Sequence, residues 1–143
     1  ISACLVGSEM CIRDRVNMAL PTGSGSELIK SIMWNDVTST TAVTFTGVAL
    51  HIYTILSITA HRNGGTATNL TLKLYGYDSY GSANNENAVI FLEEIPGEST
   101  FLWNDRFSFH GQGSNSGVQK LTMHNSSANT LDIVMTYIDQ DWS

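Results

Sequence analysis

Residues 131–138 read LDIVMTYI, and this stretch decides the fold class. Alternate side chains of an extended strand point to opposite faces, so the odd-numbered positions share one face. That face carries Leu131, Ile133, Met135 and Tyr137. Val134 and Ile138 make the opposite face partly apolar as well. A strand wetted on one side needs apolar residues on one face only, so the stretch predicts a strand that is covered on both faces. A neighbouring subunit would cover the second face, or else the N-terminal arm or a loop of the same chain would fold over it.

The same period-2 alternation recurs along the chain. In residues 70–75 three leucines alternate with Thr71, Lys73 and Tyr75, as in a half-buried strand. Residues 51–60 are rich in Ile, Tyr and Thr and predict a long central strand with Ile52, Leu56 and Ile58 on one face. Further strands are predicted at residues 28–34, 43–46, 88–95, 107–110 and 121–124 and at Trp103. With turn signals between them, these strands predict an all-β fold, an antiparallel β-sandwich of jelly-roll type.

Composition narrows the classes of partner. The chain has 143 residues and a net charge of −6, from 7 basic and 13 acidic side chains. Binding to nucleic acid by neutralising phosphates needs a clustered basic surface, so we expect no nucleic-acid partner. No apolar run approaches the roughly 18 residues of a membrane span, so we expect no membrane partner either. Charged residues make up 14% of the chain, which is typical of a β-rich protein with polar, turn-rich surfaces.

The first residues differ from the rest. Residues 1–15, ISACLVGSEMCIRDR, have no strand alternation and hold both cysteines, Cys4 and Cys11. The segment resembles the translation of sequencing-adapter DNA at the end of an assembled environmental read. A short secretory leader is the alternative, but Glu9 and Arg13 interrupt the apolar stretch that a leader needs.

Met18 follows this segment almost at once and is a plausible true start. We therefore expect residues 1–17 to be a non-native leader, and residues 18–143 to form a single β-sandwich domain. Residues 18–26, which contain the sequence PTGSGS, have the small polar composition of a flexible N-terminal arm. No internal repeat or linker divides the domain.

No pattern in the chain predicts catalysis or metal binding. The Gly-x-Ser-x-Gly elbow is missing, and Glu93 and Glu94 are neighbours on a strand and point to opposite faces. The four histidines lack ligand-type spacing and fit solvent-facing strand positions; they are His51, His61, His110 and His124. Asp139 and Asp141 could coordinate calcium, but without the rest of a calcium loop they predict a solvated acidic tail. We expect a non-enzymatic protein with no catalytic residues, metal or cofactor.

Aromatic residues predict two kinds of binding surface. Tyr75 and Tyr77 lie two apart on the strand face opposite Leu74, and with Tyr80 and Asp78 they could stack and bond a sugar. The simpler interpretation is that tyrosine rings cover a sheet face. Trp34 and Trp103 fit core or sheet-edge packing. Trp142, beside the carboxyl end of the chain, fits a contact to a neighbouring subunit, which would extend the apolar patch of Val134 and Ile138.

The last third of the chain carries a resemblance to a known class of proteins. Its features are the turn IPGEST at residues 95–100, a short strand with Trp103, and a closing hairpin that ends VMTYIDQDWS at residues 134–143. They resemble small virion structural proteins of marine tailed bacteriophages. The segment TGSGSELI at residues 22–29 and the Asn-Gly-Gly that follows the central strand resemble them too.

The resemblance implies a structural protein of the virion, of the capsid-decoration or head-fibre kind. Its expected partners are other copies of itself, a major capsid protein or a tail protein, and its expected interface contains Val134, Ile138 and Trp142. The alternative is a carbohydrate-binding module that uses the surface tyrosines and has a glycan partner. The alternation of strands by itself indicates only an antiparallel β domain.

Overall fold

The computed structural model describes residues 25–76, 86–111 and 119–142. They form nine strands: β1 (Ser26–Val37), β2 (Val43–Thr46), β3 (His51–Arg62), β4 (Thr68–Gly76), β5 (Glu86–Ile95), β6 (Thr100–Trp103), β7 (Phe107–His110), β8 (Lys120–Asn125) and β9 (Leu131–Asp141). The predicted all-β class is confirmed. In this part of the chain no helix is long and apolar enough to cross a membrane. β1 begins two residues before the predicted strand, and the predicted leader and most of the predicted arm lie outside the described residues.

The strands pair into two antiparallel sheets. The first sheet has the order β1-β9-β3-β6, and β7 also pairs with β3. The second has the order β2-β8-β4-β5. β7 and β6 pair with successive parts of β3, residues 52–55 and 58–61, and so share one edge of the first sheet. With β6 and β7 sharing one position, each sheet has four strand positions. The orders β1-β9-β3-β6 and β2-β8-β4-β5 are those of a jelly roll, which confirms the predicted architecture.

The core lies between the two sheets. Its fully buried side chains include Ile58, Ile133 and Met135 from the first sheet and Leu72 and Met123 from the second. A chain of aromatic contacts runs along it, with ring centroids 4.9–6.2 Å apart, through Phe101, Phe91, Trp103, Phe107, Phe109, Tyr53, Phe45 and Tyr137. Trp34 and Trp103 pack against this core, as expected.

The predicted face of the central strand was wrong over its first half. Ile55 of β3 pairs with Tyr137 and Ser57 with Thr136, so Leu56 is an extra, bulged residue. A bulge of one residue exchanges the two faces of a strand. Ile55 therefore faces the core before the bulge and Ile58 after it, while Ile52 lies on the opposite face.

One buried polar side chain ties the end of β8 to its neighbours. Asn125 has no exposed surface. Its amide nitrogen donates to the carbonyl oxygen of Val37 at 3.0 Å and to that of Asn129. Its carbonyl oxygen accepts from the Thr68 hydroxyl and, at 3.1 Å, from the backbone N–H of Ser127. All the bonds of the amide are made, so its burial stabilises this end of the sandwich.

Candidate functional site

Two rows of side chains cross the outer face of the first sheet. Directly paired residues of adjacent strands lie on the same face. One row runs through β1, β9, β3 and β6 as Met33, Val134, Thr59 and Leu102. The other runs through β1, β9, β3 and β7 as Ile29, Ile138, Thr54 and Ser108. We call the surface formed by Ile29, Met33, Leu102, Val134 and Ile138 the apolar face.

The apolar face is well exposed in the isolated chain. The exposed fraction is 73% for Ile29, 62% for Met33, 59% for Leu102 and 38% for Val134. A stripe of hydroxyl side chains, from Ser31, Thr136 and Ser57, separates the two rows. The carboxylates of the same face, Glu27 and Asp132, stand at its two ends. The middle of the face therefore carries apolar and hydroxyl side chains and no charge, a composition typical of a protein contact.

The outer face of the second sheet is different. Three of its four strands, β2, β8 and β4, carry hydroxyl, imidazole and ammonium groups on this face, among them those of Thr44, Thr71, Lys73, Thr122 and His124. Its exposed apolar residues, Val89 and Leu92, stand on the edge strand β5. A sandwich needs only one apolar face per sheet, and β2, β8 and β4 of the second sheet fit that rule. The first sheet has a second apolar face that the fold itself does not require.

The structure brings two of the three predicted interface residues together. Val134 and Ile138 belong to the two rows of the apolar face. Trp142 lies just beyond β9, where its backbone N–H donates to the carbonyl oxygen of Leu50 at 2.9 Å. A Cβ atom added to Gly25 would lie 3.3 Å from the Trp142 ring, so the ring rests against the start of β1. Its exposed fraction is 37%, and it extends the same sheet at one end.

Sequence reasoning missed three members of the apolar face: Ile29, Met33 and Leu102. The apolar alternation of β1 is visible in the sequence. Only the register shows that Ile29 and Met33 stand beside Ile138 and Val134.

A partly buried ion pair replaces the predicted acidic tail. Asp139 is only 6% exposed, and its two oxygens lie 2.7 Å from the Lys30 ammonium and 2.7 Å from Nδ1 of His51. Nε2 of His51 lies 3.4 Å from Asp141. The interpretation of Asp139 as solvated was therefore wrong, as was that of His51 as solvent-facing. Both side chains share the inward row of their strands, where β1 and β3 flank β9.

These contacts act on the protonation of Asp139. Burial raises the pKa of this carboxyl, but the hydrogen bonds from Lys30 and His51 lower it by more, so the pKa lies below its ordinary value. The hydrogen bond between Lys30 and Asp139 raises the pKa of Lys30. Within the described residues no cluster of three or more His, Cys, Asp or Glu side chains is arranged to hold a metal ion. The contacts of Asp139 with Lys30 and His51 join β9 to β1 and β3.

The predicted sugar platform is described only at Tyr75. This residue lies on the outer face of the second sheet and pairs with Lys120. The Lys120 ammonium is 5.7 Å from the centroid of the Tyr75 ring, a cation–π distance. Tyr77, Asp78 and Tyr80 lie outside the described residues. The platform as a whole stays a prediction.

Comparison with known proteins gives structural similarities at low identity. The chain matches no protein-family model and no curated protein. Among solved structures it is similar to a chain of the Bacillus endospore appendages, which are disulfide-linked pili: the identity is 13%, the match covers 99% of this chain and 96% of that one, and the TM-score is 0.46.

Two further similarities are to the modules of an enzyme and to a virus. The first is to the carbohydrate-binding and catalytic modules of the endo-1,4-β-D-xylanase 10B of Clostridium thermocellum, at 11% identity and a TM-score of 0.48. It covers 78% of this chain but only 24% of that one. The second is to infectious bursal disease virus, Gx strain, at 8% identity, covering 82% of this chain and 34% of that one with a TM-score of 0.42. At these values the similarities do not assign a function.

Proposed function

We propose that this protein is a non-enzymatic structural protein of a virion that assembles through the apolar face. The observation that supports the proposal is the apolar face on the outer side of the first sheet, since three of the four strands of the second sheet, β2, β8 and β4, are polar on their outer side. The resemblance of the closing hairpin to small virion proteins of tailed bacteriophages supports the virion as the location. The proposed partners are other copies of the chain and a major capsid or tail protein.

The energetics favour a multivalent assembly. An apolar side chain such as Val, Leu, Ile or Met gains about 1.5–3 kcal/mol when it moves fully from water into a packed contact. Association costs about 4–15 kcal/mol in lost translational and rotational freedom. Five partly exposed apolar residues offset this cost only narrowly in one isolated contact. In a particle each copy makes several contacts at once, and the later contacts no longer carry the full cost.

The alternative is a carbohydrate-binding module in which Tyr75, Tyr77 and Tyr80 stack against a sugar and Asp78 bonds its hydroxyls. Ring stacking of this kind needs an accessible aromatic face. Lys120 lies over the Tyr75 ring, so a sugar would have to displace it or use the other side. Sugar-dependent quenching of tyrosine or tryptophan fluorescence tests this alternative.

The experiment for the proposal compares two double variants of the same chemistry. Val134→Thr with Ile138→Thr makes the apolar face polar, and Val89→Thr with Leu92→Thr does the same on the edge strand of the second sheet. Each variant is followed by sedimentation velocity over a concentration series and by co-sedimentation with phage particles or empty capsids. Circular dichroism melting checks that both variants fold.

The first double variant should weaken self-association or particle binding at least tenfold, and the control should behave as the unchanged protein. Equal losses in both variants would show that the effect is not specific to the apolar face and would remove the support for its role. A stable monomer that ignores particles, and is indifferent to both changes, would overturn the virion proposal. Quenching by a sugar in the same preparation would then favour the carbohydrate-binding alternative.

A further inference from the structure

The four sheet edges of the described residues are unequally protected. An exposed edge offers unpaired backbone N–H and C=O groups to another chain, and proteins guard such edges with short strands, bulges and charges. β2, β6 and β7 have four residues each. β5 is longer, but its pairing with β4 shifts at Ile90, and it carries Glu93 and Glu94. Three of the four edges are thus guarded.

The fourth edge, β1, carries such features only near its two ends: Glu27 at one end, and at the other Asp36 with a shift of register between Trp34 and Val37. It has 12 residues, and its pairing with β9 is unbroken from Ser26 to Trp34. It contains no proline. Its one lysine, Lys30, points to the inner side of the sheet, where Asp139 of the same chain compensates the charge of the ammonium at 2.7 Å. Among the described strands β1 pairs with β9 alone, so its other side is a regular edge from Ser26 to Trp34, along which Leu28, Ile29 and Met33 are exposed.

We infer that β1 pairs antiparallel with β1 of a second copy, about a two-fold axis at Ser31. In this register Ile29 lies opposite Met33 of the other copy on the outer face. On the inner face Leu28 lies opposite Trp34. Both pairs are apolar, and apolar cross-strand pairs stabilise a sheet.

Charge selects the same register. With the axis at Ser31, Glu27 lies opposite Asn35 and Lys30 opposite an isoleucine, so no like charges meet. With the axis at Lys30, the two lysines of the dimer would lie directly opposite each other, which is destabilising. An axis at Ile32 would place Leu28 opposite Asp36. If one β1 strand were offset by a single residue against the other, odd-numbered residues would lie opposite even-numbered ones. The two sandwiches would then lie on opposite sides of the joined sheet, because such an offset exchanges the faces of a strand.

This pairing joins the first sheets of two copies into one sheet and brings their apolar faces side by side. The inference rests on the proposed assembly role, since it names a second copy of the chain as one partner. The contact is isologous: the same strand contributes on both sides, so the interface closes on itself as a dimer.

Charge exchange at the axis tests the inference. Ser31→Lys and Ser31→Glu each place two like charges opposite each other in the dimer, and an equimolar mixture places opposite charges there. The matched controls are Ser57→Lys and Ser57→Glu, in the same cross-strand row but two strands inside the sheet. The readout is sedimentation equilibrium of the full chain.

Each Ser31 variant alone should dimerise at least about tenfold more weakly than the unchanged chain. The equimolar mixture of the two variants should recover the dimerisation affinity of the unchanged chain. A further variant, Ser31→Cys with Cys4 and Cys11 changed to Ser, should form an interchain disulfide on mild oxidation. Directly opposite residues in an antiparallel pair have Cα atoms about 4.5–5.5 Å apart, within disulfide range. Ser57→Cys in the same background should not cross-link.

An unchanged chain that stays monomeric over the concentration series would overturn the inference, as would Ser31 variants that dimerise normally or a mixture with no recovery. Failure of the proposed function gives a different result. If Val134→Thr with Ile138→Thr has no effect while the Ser31 mixture recovers, the edge pairing stands and the role of the apolar face does not. If Val134→Thr with Ile138→Thr weakens assembly while the Ser31 mixture shows no recovery, the role of the apolar face stands and the edge pairing does not.

Discussion

The most direct test of the fold is the change Leu72→Ala in the middle of β4. Leu72 has no exposed surface and pairs with Met123 on one side and Phe91 on the other. The change removes three carbon atoms, which at about 0.8 kcal/mol per methylene is a loss of about 2.4 kcal/mol. The cavity adds to this because strands on both sides hold the site open. We expect a total loss of about 3–4 kcal/mol, inside the roughly 2–5 kcal/mol range of such substitutions.

The assay is urea unfolding followed by circular dichroism, with Lys73→Ala as the control. Lys73 is the next residue on the same strand, faces water and pairs with Thr122 and Val89. Its change should cost less than about 0.5 kcal/mol. Equal losses from the two variants would refute the reasoning, because a register moved by one residue exchanges the faces.

Two further predictions concern buried polar groups. Asn125→Ala leaves the Val37 carbonyl and the Thr68 hydroxyl without this partner, at a cost of about 1–3 kcal/mol per group. The free energy of unfolding, measured by thermal unfolding, should therefore fall by at least about 2 kcal/mol. A fall below about 0.5 kcal/mol would contradict this. Because the pKa of Asp139 is lowered in the folded state, its contribution is present above the unfolded-state pKa of about 3.9 and is lost as the pH falls through the folded value. Asp139→Asn should therefore lower stability at neutral pH and flatten its decline in acid, as measured by urea unfolding from pH 7 downwards; an unchanged acid slope would contradict the role of Asp139.

The strands were predictable from the sequence because alternation is a local property. LDIVMTYI and the leucines of β4 alternate at period 2, and the structure places their inward residues in the core. The Leu56 bulge was not predictable, since nothing local to β3 shows that one residue is left out of the pairing with β9. It appears only when the register on both sides of residue 56 is known.

The candidate site was predictable in part for the same reason. Apolar residues on both faces of β9 identified Val134 and Ile138 without knowledge of the neighbouring strands. The rest of the apolar face, and the partners of Asp139, come from strands distant in the chain: Lys30 and Asp139 are 109 residues apart. Asp139 looks like part of a polar tail until β1 and β3 are placed beside it.

Methionine oxidation tests most directly whether the apolar face is covered in the assembled protein. Met33 is 62% exposed and lies in this face, whereas Met123 and Met135 have no exposed surface and serve as internal controls. Peroxide oxidation, read by peptide mass spectrometry, is compared between dilute protein and protein in assemblies or bound to particles. We expect Met33 to react fast in dilute protein and at least several-fold more slowly after assembly, with Met123 and Met135 slow in both states. A Met33 that reacts equally fast in both states would contradict this expectation.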